Sequence, residues 1–310
     1  MAPRAARSNQ AMNPSTNRRD FFKATALGAA AVALAPVASA MNLPAPTTPA
    51  KLRISCQEGV APGKTLTEKL DFMEANGFDG VEFWGGGLPG RVEEIKTALK
   101  GRKLQLSAVC AGFKGCLISD KAAEQQEAMA TIKEILTATG ALGSVGMIIV
   151  PAFNGQTKLD HWAARELLLT KLPELGEHAN QAGTTVLLEP LMRDESHFLR
   201  QVADATKIAQ ETKSPGVCVM ADFWHMTWEE PSDLAAITAA GEKLRHVHIA
   251  SRKTRKIPGE DAGDNYVNGF TGLKLIGYQN FVSLECGNKG DKKLALPAAV
   301  KLMREQWEQA

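Results

Sequence analysis

Four residues with metal-binding side chains each lie at or near the end of a short apolar run, and these runs are well separated along the chain. The residues are Glu189, Asp222, His248 and Glu285. Two glutamates, one aspartate and one histidine form a hard oxygen and nitrogen donor set. Such a set suits one divalent ion (Mn²⁺, Mg²⁺, Co²⁺ or Zn²⁺) with open positions for substrate oxygens. One carboxylate at a strand end would mean little, but four such groups in succession are difficult to explain as solvated ends.

The same donor set predicts proton-transfer chemistry. Three carboxylates around a divalent ion leave excess negative charge, so one of them can act as a base. An ion that chelates the carbonyl and neighbouring hydroxyl of a ketose lowers the pKa of the C–H bond between them. One glutamate removes that proton, and the other returns it or protonates the opposite face, through a cis-enediolate. Glu189 and Glu285 suit this acid/base pair, and the product is an isomer or an epimer.

Four further polar residues are candidates for contact with a substrate. His225 follows Asp222 by three residues on a predicted loop, where it could bind a substrate oxygen or simply cap a helix. Arg255, on the loop after the next strand, could neutralise a substrate anion. Glu82 and Arg193 are weaker candidates for substrate binding. The flanking charges around Arg255 are interpreted as solvated.

His246 lies two residues before His248, so both side chains face the same side of one strand. His248 is nearer the carboxyl end and is therefore the predicted ligand, whereas His246 is interpreted as a hydrogen-bonded core histidine. Residues 85–87, three consecutive glycines after a predicted strand, are interpreted as a flexible active-site loop.

Short apolar runs alternate with amphipathic helical stretches from residue 51 onward. The predicted strands are residues 52–56, 80–84, 104–110, 146–151, 184–189, 216–222, 244–249 and 281–285. The predicted helices are residues 66–76, 92–99, 122–139, 161–182, 198–212, 231–240, 266–276 and 294–309. Eight β/α units over about 250 residues predict an α/β fold, a (β/α)8 TIM barrel, as a single domain over residues 51–310. All four ligand candidates then lie at the carboxyl ends of strands, where such barrels carry their chemistry.

A doubly wound open sheet is the structural alternative. Such a fold normally contains a glycine-rich, phosphate-binding loop after its first strand. Residues 57–63 lack the G-x-G-x-x-G pattern, and no Walker motif occurs elsewhere. The barrel is therefore favoured.

Composition limits the classes of partner and the redox chemistry. Of the 310 residues, 44% are hydrophobic, enough for a large core, and the net charge of +2 gives no electrostatic case for nucleic acid or an anionic membrane. The five cysteines show no C-x-x-C spacing, and their odd number argues against a full disulfide framework. Export would permit a disulfide between Cys110 and Cys116.

The amino-terminal 40 residues predict a cleavable signal peptide. Arg18 and Arg19 precede an apolar, alanine-rich run over residues 24–37, and small residues at 38–40 suit cleavage. The paired arginines resemble a twin-arginine signal, which predicts a partner in the twin-arginine export machinery and a periplasmic location. A membrane anchor is the alternative, but the run is short for a span of about 20 residues. Residues 41–50 are interpreted as a linker.

The strand-end motifs resemble those of the xylose isomerase-like TIM barrels, and within them the hydroxypyruvate isomerase and ketose 3-epimerase branch. The motifs are residues 188–193, 222–226, 246–249 with Arg255, and 283–285, and residues 150–155 and 258–259 also match. The resemblance covers nearly all of the chain after the signal and linker. It implies metal ligands at Glu189, Asp222, His248 and Glu285, with the two glutamates as the acid/base pair. It also implies substrate contacts from His225 and Arg255, and it allows a homo-oligomer.

Four positions depart from the family pattern. Met192 stands where the family usually has Asn, and Phe223, Trp224 and Thr227 replace the Thr, Phe and Asn of a frequent Asp-Thr-Phe-His-Met-Asn motif. These changes indicate a reshaped pocket. Hydroxypyruvate isomerases often have Gln where His248 stands, which favours the epimerase side. An export signal would suit a keto-sugar or keto-glycoside outside the cytoplasm.

The leading hypothesis is a metal-dependent isomerase or epimerase of a ketose or small hydroxy-ketone. A lyase or hydrolase of keto-glycosides could use the same ion and base to eject an aglycone. A DNA-repair endonuclease of the same superfold would need more ligands for three zinc ions and a basic face, and the chain has only six histidines. A sugar-binding barrel would not need all four ligands.

Overall fold

The computed structural model describes residues 48–310. The predicted signal peptide and most of the predicted linker lie outside the described residues. Within residues 48–310, no helix has the length and apolar character needed to cross a membrane.

Eight parallel strands form a closed barrel in which each strand pairs with the next and β8 pairs with β1. The strands are β1 (Arg53–Gln57), β2 (Gly80–Trp84), β3 (Gln105–Cys110), β4 (Met147–Ile149), β5 (Val186–Leu188), β6 (Val217–Asp222), β7 (Leu244–Ile249) and β8 (Phe281–Leu284). The predicted TIM barrel is confirmed. Strands β4 and β5 are shorter than predicted, although the flanking residues Gly146, Thr185 and Glu189 still form backbone hydrogen bonds to neighbouring strands.

Nine α-helices surround the strands within residues 48–310. They are α1 (Leu66–Ala75), α2 (Val92–Leu99), α3 (Ala122–Ala141), α4 (His161–Gln181), α5 (Val202–Glu211), α6 (Phe223–Glu229), α7 (Asp233–Ala240), α8 (Val267–Leu275) and α9 (Lys292–Gln309). Capping side chains define several starts: Thr65 and Glu68 form a capping box at α1, and the Asp160 carboxylate accepts from the Ala163 N–H at α4. The large apolar core lies mainly between this helical layer and the barrel.

Helix α6 was not predicted, and it changes the position of His225. The sequence placed His225 on a loop, but the strand β6 passes directly into a helix at Asp222. The Asp222 carboxylate accepts a hydrogen bond from the Trp224 N–H at 2.8 Å, so this residue ends the strand and caps the helix at once. At seven residues, the helix is too short to show a clear helical period in the sequence.

The glycines after β2 and β3 allow two backbone segments to touch. A Cβ atom at Gly85 would lie 2.0 Å from the Ala111 carbonyl oxygen, and one at Gly112 would lie 1.9 Å from the Gly86 nitrogen. Gly112 also has a φ of +85°. The glycines interpreted as a flexible loop therefore include a close backbone contact that has no room for a side chain.

All five cysteines are free thiols. The Cys110 thiol lies 3.7 Å from Glu285 Oε1, whereas the Cys116 thiol donates to the Pro151 carbonyl at 3.4 Å. The disulfide that export would permit between Cys110 and Cys116 is thus not formed in the structure.

Candidate metal centre

The four predicted ligands come together at the carboxyl end of the barrel. Glu189 directly follows β5, Asp222 is the last residue of β6, His248 is the penultimate residue of β7, and Glu285 directly follows β8. One donor atom from each side chain lies within 4.8 Å of the donor atoms of the other three. Since the carboxyl ends of parallel strands meet at one mouth of the barrel, residues nearly 100 positions apart converge.

Two buried atoms in this cluster show that it fits a cation. Among the described residues, Glu189 Oε1 and His248 Nδ1 have no hydrogen-bond partner. A buried polar atom without a partner is costly. His248 Nδ1 lies 3.1 Å from Glu285 Oε2 and 3.7 Å from Glu189 Oε1. At these distances a positive charge must lie on or beside the nitrogen. Burial alone would lower the pKa of His248, but the charges of Glu82 and Glu285 raise it well above its usual value, so the metal-free ring is protonated. A cation bound here would replace the proton on Nδ1. The hard donor set suits a divalent ion in that place.

A second group of metal-binding side chains lies deeper in the barrel and has a different geometry. Glu82, on β2, is fully buried and lies 2.7 Å from His246 Nε2 and 3.0 Å from His248 Nε2. Those atoms can be joined by direct hydrogen bonds, so Glu82 already has partners that need no ion. The group at the mouth is therefore the stronger candidate for a metal centre.

Glu82, a predicted substrate contact, has three partners in the barrel interior. Its carboxylate accepts hydrogen bonds from two histidines of β7 and from Gln57 Nε2, the last at 2.8 Å. Its contact with substrate stays a prediction. His246 is buried and hydrogen-bonded to Glu82, in keeping with its interpretation as a core histidine.

Burial raises the pKa of each buried glutamate near the centre, and nearby charges add to that effect or outweigh it. Burial raises the pKa of Glu189, and the nearby charge of Glu285 raises it further. Burial alone would raise the pKa of Glu285, but the charges of His248 and Arg255 hold that pKa well below its usual range. Burial is likewise outweighed at Glu82, where the two histidines lower the pKa to about 2. Glu82 is therefore ionised at neutral pH.

Arg255 lies beside three carboxylates of the site. Its guanidinium is 2.7 Å from Glu285 Oε2 and 3.5 Å from both Asp222 Oδ2 and Glu195 Oε1. The same group stacks over the Trp224 ring at 4.5 Å. Arg255 has a φ of +53°, which is unusual for a residue with a side chain and is often found at functional sites.

His225 lies at the same edge of the centre. The Met192 backbone N–H donates to His225 Nδ1 at 3.1 Å, so in the neutral ring Nε2 carries the proton. His225 Nε2 lies 3.4 Å from the Arg255 guanidinium and 3.6 Å from Asp222 Oδ2. The ring thus presents an N–H beside the metal ligands, as a substrate contact would require.

Arg193 is placed elsewhere. Its guanidinium pairs with Glu229 at 2.8 Å, and 62% of its side chain is exposed. The chain turns after Glu189, so Arg193 is directed to the end of α6 and has no contact with the four ligands. The prediction that it contacts substrate gains no support from this position.

Two residues that sequence reasoning missed also belong to the site. Gln57 Nε2 donates to Glu82 Oε1 and to Glu285 Oε1, at 2.8 and 3.1 Å. Glu195 contacts Arg255. The predicted first strand stopped one residue before Gln57, and its position at a strand's carboxyl end was the available signal. Glu195 lies in an irregular segment and carried no such signal.

A cavity of about 270 Å³ opens beside the centre. It is lined by Gln57, Glu58, Gly59, Lys69, Glu82, Trp84 and Cys110. Gln57 and Cys110 also contact Glu285, which joins the cavity to the ligand cluster. Trp84 is 60% exposed at its edge.

The family model described as "Xylose isomerase-like TIM barrel" matches residues 70–306. The chain belongs to the xylose isomerase-like TIM barrel family. This membership confirms the resemblance that the strand-end motifs indicated.

Several relatives in the xylose isomerase-like family are sugar epimerases. The chain is 29% identical over 244 residues to 3-dehydro-D-guloside 4-epimerase of Escherichia coli K12, which covers 76% of this chain and 92% of that protein. It is 34% identical over 111 residues to D-psicose 3-epimerase of Agrobacterium fabrum, which covers only 36% of this chain and 38% of that protein.

A solved structure extends the likeness to the whole barrel. The crystal structure of apo 3-keto-D-glucoside 4-epimerase from E. coli superimposes with a TM-score of 0.76 at 28% identity, over 82% of this chain and all of that one. With the relatives above, it confirms the prediction of an enzyme of the sugar isomerase and epimerase class. The roles of individual site residues stay predictions.

Proposed function

We propose that the protein is a metal-dependent epimerase or isomerase that moves a proton at the carbon next to the ketone of a keto-sugar. The convergence of Glu189, Asp222, His248 and Glu285, with two buried donor atoms that have no partner, carries this proposal. A divalent ion (Mn²⁺, Mg²⁺, Co²⁺ or Zn²⁺) held by these residues would polarise the substrate carbonyl as a Lewis acid.

The two glutamates carry the proton. One carboxylate takes the proton of the C–H bond, and the electron pair of that bond moves toward the carbonyl to give an enediolate. The other glutamate then protonates the same carbon from the opposite face, which gives an epimer, or the neighbouring carbon, which gives an isomer. Glu189 leaves β5 and Glu285 leaves β8, so the two carboxylates approach the mouth of the barrel from different strands.

Arg255 and His225 hold the substrate oxygens in this proposal. The Arg255 guanidinium and the His225 Nε2–H group lie 3.4 Å apart and can donate to neighbouring oxygens of one sugar. Arg255 is fixed by its stacking on Trp224, and His225 by the Met192 N–H. Both groups are therefore oriented before the substrate binds.

The substrate we propose is an oxidised glycoside, a sugar that carries a ketone on its ring and an aglycone at its anomeric carbon. The E. coli relative that acts on a 3-dehydro-guloside is similar over most of both chains, whereas the ketose 3-epimerase cited above is matched over about a third. The aromatic Trp84 at the edge of the cavity offers a surface for such an aglycone.

Product analysis tests this proposal directly. The purified protein with Mn²⁺ is incubated with a 3-keto-glucoside and, separately, with a free ketose, and products are identified by NMR. An epimer of the glycoside is the expected result. A free ketose as the better substrate would support the first hypothesis from the sequence instead. Release of the aglycone would show a lyase, and no turnover of either compound would overturn the proposal.

We also propose that the protein is exported through the twin-arginine pathway, as residues 17–40 indicate. This route carries folded proteins, which would let the enzyme load its metal in the cytoplasm. Cell fractionation should find a shortened chain in the periplasm. Replacement of Arg18 and Arg19 by lysine should leave the full-length chain in the cytoplasm, and unchanged export of that variant would contradict the proposal.

A further inference from the structure

Glu82 is fully buried beside the proposed metal centre and contacts one of its ligands, His248, directly. Its Oε2 atom is 2.7 Å from His246 Nε2, and both of its oxygens are 3.0 Å from His248 Nε2. A carboxylate only accepts hydrogen bonds, so both histidines must place their protons on Nε2. The residues lie on β2 and β7, which are separated by β1 and β8 around the barrel.

The orientation of His248 follows from this contact. With one proton held on Nε2, Nδ1 is the nitrogen that can give up its proton and offer a lone pair to a metal ion. That atom faces Glu189 and Glu285 and has no hydrogen-bond partner among the described residues. A histidine that donates one ring N–H to a buried carboxylate is a stronger and better-oriented metal ligand through its other nitrogen.

A second connection runs from Glu82 to Glu285. Gln57 is directly opposite Glu82 in the β1–β2 pairing, and its amide nitrogen donates to Glu82 Oε1 and to Glu285 Oε1. An amide nitrogen has two hydrogens, so it can serve both carboxylates. The Glu82 carboxylate thus contacts His248 directly. It is connected to Glu285 through the Gln57 side chain.

We propose that Glu82 is the positioning residue of the metal centre: it fixes the Nε2–H tautomer and the ring plane of His248 and, through Gln57, the carboxylate of Glu285. His246 is the second donor that keeps the Glu82 carboxylate in place and is not a metal ligand. This inference rests on the proposed metal centre. The chain should therefore bind one ion, at the mouth of the barrel.

Two measurements on the wild-type protein test the assignment. Titration with Mn²⁺ should give one ion per chain, and NMR of metal-free protein labelled with ¹⁵N-histidine should show proton-bearing Nε2 on both His246 and His248. Two ions per chain would overturn the proposal, because the second would have to replace the hydrogen bonds of Glu82. A proton on His246 Nδ1 with a bare Nε2 would overturn it as well.

The Glu82→Gln variant supplies the perturbation. The glutamine side chain keeps the shape of the glutamate but has only one acceptor atom for the two histidines. Its NH₂ group cannot accept the hydrogen bond that the Gln57 amide donates to Glu82 in the wild type. We expect Mn²⁺ affinity to fall about 10- to 100-fold. We also expect Nε2 of His248 to be no longer fully protonated in the metal-free spectrum.

Ser107→Ala is the matched control. Ser107 is also a fully buried polar residue of the barrel, but its hydroxyl bonds to Ser55 and the Val81 carbonyl rather than to a ligand. It should lose stability without loss of Mn²⁺ affinity. Unchanged affinity in Glu82→Gln, or an equal loss in Ser107→Ala, would contradict the proposal. If the wild-type protein bound no Mn²⁺, the proposed function itself would fail.

Discussion

Replacing Arg255 with Met should destabilise the metal-free protein and strengthen its binding of Mn²⁺. The Arg255 guanidinium contacts Glu285 at 2.7 Å and Asp222 at 3.5 Å, two of the four proposed ligands, and 29% of the side chain is exposed. Methionine keeps an unbranched side chain that can pack on Trp224 but removes the charge. The carboxylates of the metal-free centre then lose a compensating cation.

The size of the effect can be estimated from a thermodynamic cycle. Removing one partner of a buried ion pair costs about 3–5 kcal/mol, and the partial exposure of Arg255 reduces this to about 2–3 kcal/mol in the metal-free protein. With Mn²⁺ bound, the ion supplies the positive charge, and we expect a loss below about 1 kcal/mol. The difference of about 1–3 kcal/mol must appear as tighter Mn²⁺ binding, by about 5- to 150-fold.

Thermal unfolding and calorimetric titration give the two sides of this cycle. For a domain of this size, 1 kcal/mol corresponds to about 2–4 °C in Tm. The metal-free variant should therefore melt about 4–12 °C below the wild type, and saturating Mn²⁺ should recover most of that difference.

Arg193→Met is the control for the loss of an arginine, because Arg193 pairs with Glu229 and has no contact with the ligands. Its loss of stability should be the same with and without Mn²⁺. If Arg255→Met lost equal stability in both states, or bound Mn²⁺ more weakly than the wild type, the guanidinium would not be a neighbour of the ion and the placement of the centre would be wrong.

Three further outcomes follow from the structure. Chelation of bound metal should lower the Tm reversibly, because Glu189 Oε1 and His248 Nδ1 lose their partner; an unchanged Tm in the wild type would mean that no ion binds there. Gly112→Ala should lower the free energy of unfolding in denaturant by more than about 3 kcal/mol, because its Cβ would lie 1.9 Å from the Gly86 nitrogen. Gly87→Ala is the control: this glycine also has a positive φ but no atom within 4 Å of the added Cβ, so the loss should be only about 1–2 kcal/mol. Equal costs would show that the backbone contact can relax. His225→Asn should raise the KM for the keto-sugar and leave Mn²⁺ affinity within about twofold; a large loss of Mn²⁺ affinity would instead make His225 a support of the ligands.

The barrel could be predicted because its signals are local and repeated. Apolar runs such as residues 244–249 and 80–84 appear as strands β7 and β2 with the same bounds, since a buried parallel strand is apolar on both faces. The four ligand positions followed from the barrel, because each carboxylate or imidazole stood at or near the end of such a run. The structure brings these four side chains together at one mouth.

Other parts of the site depend on contacts that no local pattern encodes. Glu82 is the third residue of β2, and only the closed barrel shows that it faces the histidines of β7. Arg193 follows Glu189 by four residues, and the turn between them directs it to Glu229 instead. Helix α6 was missed because one residue, Asp222, both ends a strand and begins the helix.

Solvent-deuterium exchange is the most direct test of the two-glutamate mechanism. The keto-sugar that the wild-type protein turns over is incubated in D₂O with saturating Mn²⁺ and with the wild type, Glu189→Gln or Glu285→Gln, after metal loading and folding of each variant are verified. We expect deuterium to enter the substrate carbon with the wild type and incorporation to be abolished in both variants. Near-normal incorporation by a metal-loaded variant would contradict the account, because the proton would then be carried by a residue other than that glutamate.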